Sequence, residues 1–223
     1  MKKFLSLVLA GALAVGGTAA LADAVTLAPQ HSFAVDTLMT ADTTVQAHFD
    51  PQTAFDEQKQ MTFTVVEDDL FPTEAVKALQ PGDKVAVYGE EVEVKSLTET
   101  EDGYAVNAEG EDPGYEFRYL DDTHETMYCS DTDIPGKTEL DTCTLAMADA
   151  VQVTVWVERK DEPGIMEQEP VTETLAATDV QAFFLARADE DQSDYLNCQG
   201  SHVTIRVQDG RVTEIRVDWG SDD

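Results

Sequence analysis

The chain has 223 residues and carries 14 basic against 45 acidic side chains, a net charge of −31. Affinity for nucleic acid comes mainly from Lys and Arg on phosphates, so this balance excludes a nucleic-acid partner and equally repels anionic lipids and wall polymers. It attracts cations and basic proteins instead, and a hydrophobic content of 42% marks a folded protein with an acidic skin, not an acidic disordered tail.

The first 22 residues read as a secretory signal. Lys2 and Lys3 supply the positive start, Phe4 to Val15 are apolar except for Ser6 and Gly11, and Ala20-Leu21-Ala22 offers small residues for cleavage. The apolar run is shorter than the roughly 20 residues a spanning helix needs, and nothing later in the chain is apolar enough to cross a membrane. The expectation is a secreted, extracellular protein of bacterial type, cut after Ala22 and not inserted in a membrane. Losing Lys2 and Lys3 and no acid deepens −31 to −33.

In chain order, residues 23–60 read as a partly ordered lead-in and 61–120 as a β meander with a short helix. An acidic, cysteine-bearing loop or linker follows at 121–145, then a second β region over 146–219. Met61, Phe63 and Val65 alternate with threonines, as a half-buried strand does. Thr73 is placed to cap a short helix through Ala75, Val76 and Leu79, which Pro81-Gly82-Asp83 ends. A hairpin with a type II′ turn at Gly89-Glu90 would pair Val87 with Val92 and Val85 with Val94. Two further strands surround Tyr104–Val106 and Tyr115–Tyr119.

In the second region Val151, Val153, Val155 and Val157 alternate strictly, and Val180, Phe183, Phe184 and Arg187 suit a helix opened by Thr178-Asp179, although a strand also fits. For the last hairpin the hydrophobic pattern favours a three-residue loop, Gln208 to Gly210. That loop pairs Val203 with Ile215 and gathers Ile205, Val207, Val217 and Trp219 on the same face. The fold class that follows is mostly β with minor α: an antiparallel meander, small barrel or sandwich of short strands with one or two short helices.

Three cysteines in an exported chain imply one disulfide and one odd thiol. Cys129–Cys143 is favoured because it closes a turn-rich loop of about 15 residues, worth on the order of 3 kcal/mol; Cys198 with either partner is the alternative. No phosphate loop, dinucleotide fingerprint or nucleophile elbow occurs, and His124-Glu125 lacks the second histidine of a zinc-protease helix, since residue 128 is Tyr128. Cys198 with His202 could be imagined as a thiol nucleophile and base, but a cysteine of an exported chain is more often oxidised or buried.

No cofactor is called for; Ca²⁺ is the one ion the acidic loops would suit, with Asp131, Asp133, Asp189 and Asp191 as candidate ligands. Trp156, flanked by Gln152 and Thr154 on the outward face of its strand, is the candidate platform for a sugar ring or a partner's side chain. The leading functional expectation is a secreted non-catalytic binding module for a basic protein or a carbohydrate. The alternatives are a small extracellular hydrolase using loop carboxylates, with or without Ca²⁺, and a surface structural protein without a ligand.

Overall fold

The computed structural model describes residues 24–107, 114–129, 135–162, 165–188 and 194–218; the signal segment and Trp219 lie outside them. In chain order the elements are β1 (Thr26–Leu27), α1 (Val35–Thr40), β2 (Thr43–His48), β3 (Gln60–Asp68), β4 (Leu70–Pro72), α2 (Thr73–Lys77), β5 (Lys84–Val87), β6 (Glu90–Glu93), β7 (Leu97–Glu99) and β8 (Gly103–Val106). They continue with β9 (Tyr115–Tyr119), β10 (Thr126–Cys129), β11 (Lys137–Glu162), β12 (Ile165–Ala176), α3 (Val180–Leu185), β13 (Tyr195–Leu196), β14 (Val203–Gln208) and β15 (Arg211–Val217). The protein is mostly β with short helices. The stretch read as a lead-in supplies β1, α1 and β2.

The largest sheet closes on itself. Its order runs β12-β11-β15-β14-β2-β3, and β3 pairs again with β11, so five strands form a ring. The 26 residues of β11 make closure possible: Lys137–Ala146 pairs β3, and Ala150 onward pairs β12, while β15 lies parallel along the opposite edge. Period-2 alternation turns Cys143, Leu145 and Met147, then Val151, Val153 and Val155, into the ring. Val203, Ile205 and Val207 meet them from β14, and Val212, Ile215 and Val217 from β15. Leu38 of α1 and Val180, Phe183 and Phe184 of α3 complete this core, so the run from Val180 is a helix.

A second core lies under two smaller sheets, β4-β10-β9-β8-β7 and β1-β5-β6. Phe71, Val76, Leu79, Val85, Val87, Val92, Val94, Val106, Phe117 and Met127 fill it. One buried polar residue, Asn107, joins the sheets. Its Oδ1 accepts the backbone N–H of Lys95 at 2.7 Å, and its Nδ2 donates to the carbonyl of Glu93 at 3.0 Å. The end of β8 is thereby tied to the end of β6. Upstream, α2 begins at Thr73 itself with Pro72 at the cap position, and the Thr73 hydroxyl is buried without a partner. Threonine is therefore inside the helix and not its cap.

Both predicted hairpins form with different turns. In the first, Val85 pairs Val92 and Val87 pairs Glu90, so the turn is Tyr88-Gly89 with φ of 52° and 77°. Two positive φ values make this a type I′ turn, whose twist matches that of the strands. The pairing sum differs from the expected one by two residues, which leaves all four valines on one face. In the second, Asp209-Gly210 forms a two-residue turn with φ of 50° and 68°. Val207 then pairs Val212, Arg206 pairs Glu214, and Thr213 is the extra residue of a β-bulge. The bulge shifts the strand by one, returning Ile215 and Val217 to the core side. A two-residue turn and a continuous apolar face are thus reconciled within the strand instead of in the loop.

The predicted disulfide is not formed. Cys129, Cys143 and Cys198 are reduced, buried thiols. Cys129 pairs with Phe117 in the smaller core, whereas Cys143 lies opposite Phe63 in the ring. Sequence proximity suggested a staple across one loop, but the chain leaves one core and enters the other between the two residues.

Candidate functional site

A cleft arises where the N-terminal segment crosses between the two cores. From β1 the chain passes Pro29, whose fixed φ suits extended backbone, and runs beside the end of β3. Gln30 donates its N–H to the Leu70 carbonyl at 2.8 Å. His31 Nε2 lies 2.9 Å from Asp69 Oδ1, and Ser32 gives Glu67 two hydrogen bonds, from its N–H at 2.7 Å and its Oγ at 3.0 Å. The segment then enters α1, where Leu38 anchors it in the ring core. This strap, residues 30–32, is fixed at both ends by buried structure and along its middle by carboxylates.

Asp69 is the hub of the crossing. It is 6% exposed, its N–H donates to the Gly136 carbonyl at 2.6 Å, and its Oδ1 also accepts the Thr138 hydroxyl at 2.6 Å. It therefore ties the strap to the start of β11, where the chain passes from the smaller core to the ring.

Between strap and ring lies a cavity of about 580 Å³. Ser32, Phe33 and Thr37 form one wall, Thr44 and Gln46 of β2 and Val66 of β3 the other, and Asp42, Glu67 and Asp68 put carboxylates on it. Asp68 is the anomalous one. Burial pushes its carboxyl above the usual range; Lys137 opposes the shift, and the neighbouring Asp69 and Glu67 add to it. One of its oxygens, Oδ1, is buried with no hydrogen-bond partner. A partly desolvated, incompletely paired carboxylate costs stability, and groups held this way concentrate where ligands bind.

A pH-dependent consequence follows. The folded pKa of Asp68 lies above the ordinary carboxylate value, so the folded state holds its proton more tightly than the unfolded state does. Its contribution is fully present below that value and is lost as pH rises through the folded pKa. Asp68→Asn should therefore raise the melting temperature at pH 7 by about 1–2 °C, a modest gain because the group is only partly buried. Near pH 3 variant and parent should melt together. Thermal melts at both pH values check this, and a variant less stable at pH 7 would overturn the reading of Asp68.

The residues singled out in the sequence are dispersed. Trp156 lies on β11 opposite Pro170 of β12 and Leu196 of β13, half-buried, with its indole N–H donated to the Val217 carbonyl at 3.1 Å. Gln152 is exposed on the same face, and Thr154 bonds Thr172 across the strands at 2.9 Å. This row lines no part of the cleft. Asp131, Asp133, Asp189 and Asp191 lie outside the described residues. Among the described residues no group of three or more His, Cys, Asp and Glu is arranged to hold a metal ion, and no helix is long and apolar enough to cross a membrane.

His31 and His48 each meet a carboxylate: Asp69 for His31, and Glu139 for His48 at 2.9 Å. No hydroxyl or thiol among the described residues is bonded to either imidazole, since Thr138 donates to Asp69 itself. The Cys198 thiol is fully buried and its pKa is pushed up to about 11 by burial, with Arg187 pulling it back. Burial also raises Cys143, and Asp141 adds to it. A thiolate is the reactive form, so native protein at pH 8 should leave all three thiols unmodified by iodoacetamide over hours, with full labelling after denaturation. Mass spectrometry counts the adducts; a rapidly labelled Cys198 would contradict its burial.

Fold and cleft together define a mostly β protein with a carboxylate-lined cleft between the N-terminal strap and the ring. No protein-family model matches the chain, and neither the curated proteins nor the solved structures hold a match to it.

Proposed function

We propose that the protein is an exported, non-catalytic binding module whose cleft receives a cationic side chain of a basic protein partner. Asp68 carries the reading: the fold keeps a desolvated, incompletely paired carboxylate on the wall of this cleft, at a cost a bound cation would offset. The volume lies within the roughly 300–1,000 Å³ typical of ligand sites, and Glu67 and Asp42 extend the negative wall. The acidic surface supports the choice of partner, because it draws basic molecules toward the cleft at low ionic strength. Export is supported by the charge and apolar pattern of residues 1–22. Trp156 supports a sugar-binding alternative less well, since its indole N–H is already spent on Val217.

Calorimetric titration with triarginine tests the proposal. Binding is expected at 20 mM salt and should weaken steeply by 500 mM as charges are screened. Asp68→Asn should weaken it by about 5-fold or more. Equal affinity of variant and parent would remove Asp68 from the site, and no binding by either would remove the cleft.

A further inference from the structure

The strap uses the same carboxylate that a cationic ligand would use. Glu67 lines the cleft, yet both of its oxygens are taken, one by the Ser32 N–H and the other by the Ser32 hydroxyl. Two parallel donors on the two oxygens of one carboxylate is the pattern a guanidinium makes. Ser32 presents that pattern from within the chain.

We propose that residues 30–32 are an internal competitor for the cleft: Ser32 occupies Glu67 in the unliganded protein, and a guanidinium entering the cleft takes Glu67 by displacing it. This rests on the cleft being the binding site and adds the way it is regulated. The strap is suited to exchange. Its own backbone makes one hydrogen bond to the neighbouring backbone, Gln30 to Leu70, and its other holds are side-chain bonds to Glu67 and Asp69. Ser32 is exposed, so releasing it uncovers no core. The flanking anchors stay in place, because Leu38 is buried in the ring core and Leu27 of β1 packs against the smaller one. Ligand affinity is then reduced by the fraction of molecules with the strap closed, which makes the strap a threshold on binding.

Two measurements on the full chain decide it. By amide hydrogen exchange on the unliganded protein, Gln30 and Ser32 should exchange at least ~10-fold faster than the paired amides of β3. Exchange as slow as β3 would mean the strap opens only with the whole fold, and would overturn the proposal. Adding triarginine should then accelerate exchange at Ser32, and Ser32→Ala, which removes one of the two competing donors, should bind triarginine about 3–10-fold more tightly than the parent. If triarginine binds both proteins equally and leaves the Ser32 amide unchanged, the competition is refuted while the cleft remains the site. If it binds neither protein, the cleft reading fails and the competitor falls with it.

Discussion

Replacing Asn107 with alanine should destabilise the protein by about 3–5 kcal/mol, a large part of the roughly 5–15 kcal/mol by which a folded domain is stable. The residue is 2% exposed. Its side chain accepts the Lys95 N–H at 2.7 Å, is within 3.4 Å of the Ser96 N–H, and donates to the Glu93 carbonyl at 3.0 Å. Removing a partner from a buried polar group costs about 1–3 kcal/mol per group, and the substitution removes both the acceptor and the donor. A further ~1 kcal/mol comes from the backbone, since φ is 58° at this position and asparagine tolerates the left-handed region better than alanine does.

The charge-neutral logic of the site gives a control. Asn107→Asp keeps an acceptor for Lys95 but replaces the donor to Glu93 with an oxygen, so it should lie between parent and alanine variant when protonated and approach the alanine variant when ionised. Urea unfolding followed by far-ultraviolet circular dichroism measures both. A loss under 1 kcal/mol for Asn107→Ala would mean that water replaces the side chain and that Asn107 does not join the two sheets.

Much of the ring was legible because its signal is periodic. Val151, Val153 and Val155 were expected on one face and are fully buried; Val203, Ile205, Ile215 and Val217 behave the same way. What the pattern cannot see is a shift of two residues, which leaves every side chain on its original face. The first hairpin shifted in that way, and only the turn chemistry of Tyr88-Gly89 distinguishes the two pairings. The second hairpin differs for a related reason: a bulge at Thr213 changes parity within a strand, an adjustment that loop length alone does not reveal. Sheet membership was also beyond local pattern. β5 and β6 join β1, not β7 to β9, and β3 joins β11, because pairing between distant segments leaves no local mark.

The site was less legible than the fold. Glu67, Asp68 and Asp69 stand in a row in the sequence, but in a chain with 45 acids a run of three attracts no notice. Their separate roles depend on partners far along the chain: Ser32 and His31 lie 35 and 38 residues from theirs, and Thr138 lies 69 residues from Asp69. A usable signal did exist, in that Glu67, Asp68 and Asp69 come just after the alternation of Met61, Phe63 and Val65, so carboxylates sit where a half-buried strand ends. The cysteines differ for another reason: an oxidising compartment favours a disulfide, whereas the structure buries Cys129 in the smaller core and Cys143 and Cys198 in the ring, all three as thiols.

That separation makes the second large effect specific. Phe184→Ala should cost about 3–5 kcal/mol, the range for removing a buried phenylalanine ring and leaving a cavity. Phe184 is fully buried, with the rings of Phe49 at 5.1 Å and Phe183 at 5.6 Å edge-on to it and that of Phe55 at 6.3 Å nearly parallel. Each such pair adds about 0.5–1.5 kcal/mol beyond its buried area. Phe184→Leu retains most of the volume and should cost about half as much. The loss should be felt first around α3. Arg187, just past the end of the same helix, lies 3.7 Å from the Phe183 ring centre and 4.5 Å from that of Tyr195, close enough to Cys198 to oppose part of the rise in its pKa. Loosening α3 should therefore let iodoacetamide reach Cys198 under native conditions, while Cys129, in the other core, stays protected. Adducts located by peptide mass mapping give the answer. Selective labelling of Cys198 means that α3 opens apart from the smaller core, whereas equal labelling of Cys129 and Cys198 means that Asp69 and its partners bind the two cores into one cooperative unit.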